Sequence, residues 1–168
     1  MKKYIIIFIA AIAMVMTSCN NDVDAGGTAT QPTAGRWTVS LMQKSGNSWV
    51  DQADGLPIYT YNTAADVDSL MWLKDAKGLS DLTKLHADVN KLTFYSGVAT
   101  SSGSSAYINQ IEGSTSVTYK VINGAIFKGA AKTPSGLAAD SIRYYIVCGT
   151  DTFKVAGFRY TGFPADEE

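Results

Sequence analysis

The segment Asp140–Phe163, DSIRYYIVCGTDTFKVAGFRYTGF, limits the possible folds more than any other. Ile142, Tyr144, Ile146 and Cys148 alternate with Ser141, Arg143, Tyr145 and Val147. After Gly149-Thr150, Phe153, Val155 and Gly157 alternate with Thr152, Lys154, Ala156 and Phe158. A period of two in β-branched and aromatic residues marks strands with one dry and one wet face. A two-residue connection opening on Gly149 suits a type II′ hairpin, because glycine has no Cβ to clash at positive φ. This register puts Ile142, Tyr144, Ile146, Phe153 and Val155 on one face and Arg143 and Lys154 on the other. One hairpin cannot bury such a face alone, so more strands are required.

The preceding chain supplies them. Gly35–Gln43 alternates Trp37, Val39 and Leu41 with Arg36, Thr38 and Ser40, and reads as a strand. Lys44–Ser48 reads as a turn, and Trp49-Val50 as the start of a short return. Pro57–Tyr61 reads as a strand with Pro57 at its start, where a missing N–H costs least. Asn62–Asp68 is a loop or one helical turn, and Ser69–Asp75 is a strand ending in a turn at Asp75–Gly78. Leu79–Leu92 fits two periods. As a strand, Leu85, Ala87 and Val89 oppose Lys84, His86 and Asp88; as a helix, Leu82, Leu85, Val89 and Leu92 share a face. The strand is preferred because every neighbour is a strand. Leu92–Ala99 is a further strand, and the Ser/Gly-rich Thr100–Ser114 reads as a long loop. Thr115–Ile122 and Ala125–Lys128 read as a hairpin around a type I′ turn at Asn123-Gly124, and Thr133–Gly136 as a β-turn. The expectation is an all-β chain of eight to ten antiparallel strands, which becomes a sandwich or a closed barrel. Closure removes sheet edges, so an up-and-down barrel is preferred. Eight strands enclose packed side chains or one small ligand.

The N-terminus has a different character. Met1-Lys2-Lys3 precedes an apolar run, Tyr4–Met16, and Thr17-Ser18-Cys19 follows. That is a secretory leader, too short for a transmembrane helix. It resembles the bacterial lipoprotein signal, whose cysteine is lipidated and becomes the first mature residue. The resemblance implies a signal peptide over 1–18, acyl chains on Cys19 and a membrane as partner; paired acyl chains suffice for stable anchoring. Residues 19–34 then form a flexible tether, since Asn20–Ala34 has no hydrophobic periodicity, and the barrel spans 35–168. Asp22 and Asp24, just behind the cysteine, resemble the surface-export signal of Bacteroidetes lipoproteins. With Cys19 acylated, Cys148 is expected to be a buried small apolar residue. Without Lys2 and Lys3 the charge becomes 12 − 15 = −3. A weakly acidic domain offers no electrostatic footprint for nucleic acid.

Few residues carry recognisable chemistry. There is no G-x-S-x-G elbow, no zinc spacing, no phosphate-cradling glycine loop and no carboxylate pair of glycosidase type; no cofactor is expected. The single histidine, His86, lies two residues from Asp88, on one strand face. Aromatic residues are the better binding candidates: Trp37, Tyr59, Tyr61, Trp72, Tyr144 and Phe153, which inside a barrel would either fill it or grip an apolar or sugar ligand. Arg143 and Arg159 sit among apolar residues, where an uncompensated charge is costly. Each therefore faces solvent or meets a carboxylate or a ligand headgroup.

Several motifs then align with a known family. Thr60-Tyr61-Asn62-Thr63-Ala64-Ala65, Met71-Trp72, Asn123-Gly124, Thr133-Pro134-Ser135-Gly136 with Ala139-Asp140-Ser141-Ile142, and Gly157-Phe158-Arg159-Tyr160-Thr161-Gly162-Phe163 resemble the "lipid-binding putative hydrolase" family of Bacteroidetes lipoproteins. The resemblance covers about Gly35 to the C-terminus, with departures at Leu79–Ala87 and Thr100–Ser114. It implies a lipocalin-like barrel in the cell envelope, on an outer membrane, with a lipid-like small molecule as ligand. The residue reading keeps two alternatives beside this: a surface or adhesion module with a filled barrel, and a hydrolase, which rests on the family's name alone.

Overall fold

A computed structural model describes residues 26–75, 82–102 and 107–166. The leader, Cys19, the first part of the tether and the turn after Asp75 lie outside these residues. Among the described residues there are nine strands: β1 (Gly35–Ser45), β2 (Ser48–Asn62), β3 (Leu70–Asp75), β4 (Thr83–Asp88), β5 (Thr93–Tyr95), β6 (Ala99–Ser102), β7 (Ser116–Lys132), β8 (Ala138–Cys148) and β9 (Asp151–Arg159). A short helix, α1 (Tyr107–Glu112), lies between β6 and β7, and 3-10 turns occur at Gln31–Thr33 and Pro164–Asp166.

Every ladder is antiparallel. β1 pairs with both β2 and β9, and β5 pairs with β7, so the sheet closes on itself. β5 and β6 lie end to end along β7, as the pairs Phe94↔Gly124 and Ala99↔Tyr119 show. The ring thus has eight staves, each beside its sequence neighbours: the expected up-and-down barrel of lipocalin type. β1 starts, β2 ends, β3 starts and β9 ends at one mouth, called proximal here; α1 packs on β6 and β7 at the opposite, distal mouth.

The C-terminal hairpin forms as its alternation dictates. Ile142, Tyr144, Ile146, Cys148, Phe153 and Val155 are buried, and Arg143 is exposed. Gly149 alone of the two loop residues has positive φ (+54°), as type II′ requires. From the other staves Trp37, Leu41, Ile58, Met71, Leu73, Leu85 and Val121 point inward with 0% exposure, as do Tyr144, Ile146, Phe153 and Val155. These side chains have no solvent-accessible surface. The core is packed as protein interiors are.

Several local expectations are corrected. Asn123-Gly124 is not a hairpin turn: β7 runs straight through it. Asn123 takes φ +52°, and pairing steps from Ile122↔Tyr145 to Ala125↔Arg143, one residue longer on β7. This is a β-bulge. Both flanks find the same partner, β8, and a hairpin here would break that ladder. Trp49-Val50 and Pro57–Tyr61 are parts of one strand, β2, after a turn shortened to Gly46-Asn47. Residues 48–55 of β2 are exposed except for half-buried Gln52 and Ala53, which adjoin each other, so they lack the alternation of a half-buried strand. Pro57 is therefore mid-strand, but it directly precedes the first β2–β3 pair, Ile58↔Asp75, where the missing N–H breaks no ladder on that edge. The strand read at Leu92–Ala99 is interrupted after Tyr95, where Ser96 Oγ accepts the Val121 N–H at 2.8 Å. Thr100–Ser114, read as loop, contains most of β6 and all of α1. The 83–88 part of Leu79–Leu92 is a strand, as preferred.

Candidate functional site

The sequence-predicted site residues separate into three groups. Trp37, Tyr144 and Phe153 lie inside the barrel. Trp37 Nε1 donates to Thr60 Oγ1 at 2.9 Å, and Thr60 Oγ1 donates to the Thr33 carbonyl at 2.7 Å. Tyr144 packs against Phe94, ring centroids 5.8 Å apart. Its hydroxyl is buried with no hydrogen-bond partner, and burial first, then Asp75 and Tyr119, pushes its pKa well above the ordinary range. At the same distal end Thr83 Oγ1 and Tyr119 Oη are 2.5 Å apart. Cys148 is buried there, its thiol pushed up to about 12 by burial and by Glu112 and Asp151.

Arg159 forms the second group, at the proximal rim. It is the inward cross-strand neighbour of Trp37 and lies over that ring, 4.3 Å from its centroid. Its Nε donates to Asp140 Oδ2 at 3.2 Å and its Nη1 to the Ala34 carbonyl at 2.6 Å. Lys128 Nζ and the Gly129 N–H also donate to Asp140, each at 3.0 Å. Burial works against the Asp140 charge, but Lys128, Gly129 and Arg159 outweigh it and hold the carboxyl below its usual range. Of the readings offered by sequence for Arg159 (solvent, a carboxylate or a ligand headgroup), a carboxylate partner is found. Gly35 makes room for the guanidinium, since a Cβ there would stand 2.3 Å from Arg159 Nη1. An open groove of about 380 Å³ runs past Gly129, Asp140, Arg159 and Tyr160.

This rim also holds the end of the segment read as a tether. Thr30 and Thr33 are fully buried. Thr60 and Arg159 bind the carbonyls of residues 33 and 34, and the Ala29 N–H donates to Asp66 Oδ1 at 2.9 Å. Residues 29–34 thus close the proximal mouth.

The third group, Tyr59, Tyr61 and Trp72, does not line the interior. Each alternates with a buried neighbour, Ile58, Thr60, Met71 or Leu73, and so faces outward, half-buried. Register sets them beside cations that sequence reasoning did not nominate. Arg36 pairs with Tyr59 and Tyr59 with Lys74; Tyr61 pairs with Trp72 and Trp72 with Lys84. Arg36 also covers the Tyr160 ring at 3.7 Å. The next row is Leu70, His86 and Tyr95. None of these rows contains a carboxylate. His86 is exposed and stacked on Tyr95, centroids 5.1 Å apart, while Asp88 is held by Lys91 Nζ at 3.0 Å, which keeps its carboxyl below the usual range. Among the described residues, no group of three or more His, Cys, Asp or Glu is placed to hold a metal.

Fold and surfaces together define a small antiparallel β-barrel of lipocalin type with a filled core, a latched proximal mouth and an aromatic, basic outer wall. Residues 22–164 match the family described as "Lipid-binding putative hydrolase", and the chain belongs to that family. No individually curated protein matches it.

Proposed function

We propose that this protein is a cell-envelope lipoprotein that binds lipid or lipid-like amphipaths, held at an outer membrane by acyl chains on Cys19. Membership of a lipid-binding family supports the ligand class. The basic start, apolar run and Thr17-Ser18-Cys19 support the anchor. The barrel serves as a filled scaffold, and lipid is met on its outer surface. The observation that carries this last point is the 0% exposure of inward side chains on β1, β2, β3, β4, β7, β8 and β9. The test is titration of a fatty acid into the chain starting at Asn20, followed by NMR. Shifts are expected at outward residues of β2 and β3, with the Tyr144 and Phe153 rings unchanged. Shifts confined to those rings would place the ligand inside.

That second reading, a ligand in the barrel, is favoured by one feature: the buried Tyr144 hydroxyl lacks a partner that a polar headgroup would supply. It requires the core to open, because Tyr144 has no solvent-accessible surface. The anchor is tested separately by intact mass. Wild type extracted from membranes is expected to carry acyl mass that Cys19→Ala lacks; wild type without it would refute the anchor.

A further inference from the structure

We infer that the outer wall over β1–β4, built from Arg36, Tyr59, Tyr61, Trp72, Lys74 and Lys84, lies against the anionic surface of the bilayer. This deepens the lipid-binding reading and rests on it. Two cross-strand rows combine cations with aromatics and contain no carboxylate: Arg36–Tyr59–Lys74, cation–aromatic–cation, and Tyr61–Trp72–Lys84, two aromatics and a cation. Tyrosine and tryptophan settle at headgroup depth because one end of each ring is apolar and the other polar. Lysine and arginine are drawn to anionic leaflets, each strengthening binding roughly fivefold. The domain is weakly acidic overall, so this concentration of positive charge is local.

Position selects the bilayer as the occupant. Tyr61 is one residue from the proximal end of β2, and Ala29 is bonded to Asp66 in the adjoining β2–β3 loop. The chain therefore enters the barrel beside this wall. Ten Cα-to-Cα steps, through nine intervening residues, separate Cys19 from Ala29. They span about 35 Å at most and about 17 Å as a flexible coil. Docking of residues 29–34 shortens the tether and keeps the wall within reach of the membrane that the proposed anchor enters.

The experiment uses the chain starting at Asn20, which has no acyl anchor and retains the whole closed sheet. Its sedimentation with phosphatidylcholine vesicles is compared with and without phosphatidylglycerol. Binding is expected to the anionic vesicles, to fall at least about tenfold in Lys74→Glu/Lys84→Glu, and to fall in Trp72→Ser. Trp49→Ser is the control: Trp49 packs with Tyr145 and Lys154 at the distal end, with Asp51 two residues along its strand, and its loss is expected to leave binding unchanged. Absence of binding to anionic vesicles overturns the inference. So does equal loss in Trp49→Ser, undiminished binding by the lysine variant, or gel filtration showing a dimer that Trp72→Ser dissociates. Circular dichroism confirms that each variant is folded. The acyl mass of the full chain is read independently, so failure of the anchor and failure of the wall are distinguishable.

Discussion

Tyr144 carries a hydroxyl that the core surrounds without bonding. A buried polar group left unpaired costs about 1–3 kcal/mol. Tyr144→Phe is therefore expected to raise the urea midpoint, whereas Tyr119→Phe, which strips Thr83 of its partner, is expected to lower it. A lower midpoint for Tyr144→Phe would mean that the hydroxyl is satisfied in solution. Asp166 gives a pH prediction. Burial would raise its pKa, but donation from the Thr161 hydroxyl and from the Ser135 N–H and hydroxyl outweighs this and holds it at about 2. Unfolded, it would titrate near 4. The bonds thus stabilise the fold above about pH 4, and the stabilisation is lost as pH falls toward 2. The stability difference between wild type and Asp166→Asn is expected to narrow across that window; a constant difference would contradict it. Cys148, with its thiol pushed up to about 12 and buried, is expected to react with a thiol reagent at neutral pH only after denaturant is added. At this scale sequence resolved parity but not partners. That Arg159 must face solvent or meet a carboxylate or headgroup was legible; that Asp140 would pair with it was not, because the pairing depends on register between β8 and β9.

At the scale of elements, two glycines mark where strands crowd. A Cβ on Gly157 would stand 1.9 Å from the Thr38 carbonyl oxygen and 2.6 Å from Val39 Cα, both backbone. One on Gly124 would meet the Phe94 ring at 2.2 Å. Backbone cannot rotate aside, so Gly157→Ala is expected to cost more than Gly124→Ala, and more than the roughly 1–3 kcal/mol usual for overpacking. Equal denaturant midpoints for the two variants would argue against this packing. The hairpin β8–β9 was legible because each strand has one dry and one wet face along its length. The first half of β2 was not, since its mostly exposed residues, with only the adjacent Gln52 and Ala53 half-buried, leave no period of two to read. Asn123-Gly124 misled for a different reason. A type I′ turn and a bulge both use a residue at positive φ, and only the continuing β8 ladder tells them apart.

For the molecule as a whole, closure was legible from the number of alternating strands, and filling was not. Eight staves enclose either side chains or a small ligand, and the outcome depends on how Trp37, Tyr119, Tyr144 and Phe153 interlock. The outer wall was half legible. Tyr59, Tyr61 and Trp72 were nominated, but as interior candidates, and Lys74 and Lys84 join them only through the β2–β3–β4 register. The account makes the barrel a solid scaffold that meets lipid from outside. The tryptophans allow a direct test, because Trp37 is sealed in the core and Trp72 is on the wall. Bromine quenches indole fluorescence at contact, so brominated anionic phospholipid vesicles are added to two chains starting at Asn20: one with Trp49→Phe and Trp72→Phe, keeping Trp37, and one with Trp37→Phe and Trp49→Phe, keeping Trp72. Quenching of Trp72 with Trp37 unaffected is predicted; quenching of Trp37 with Trp72 unaffected would contradict the account.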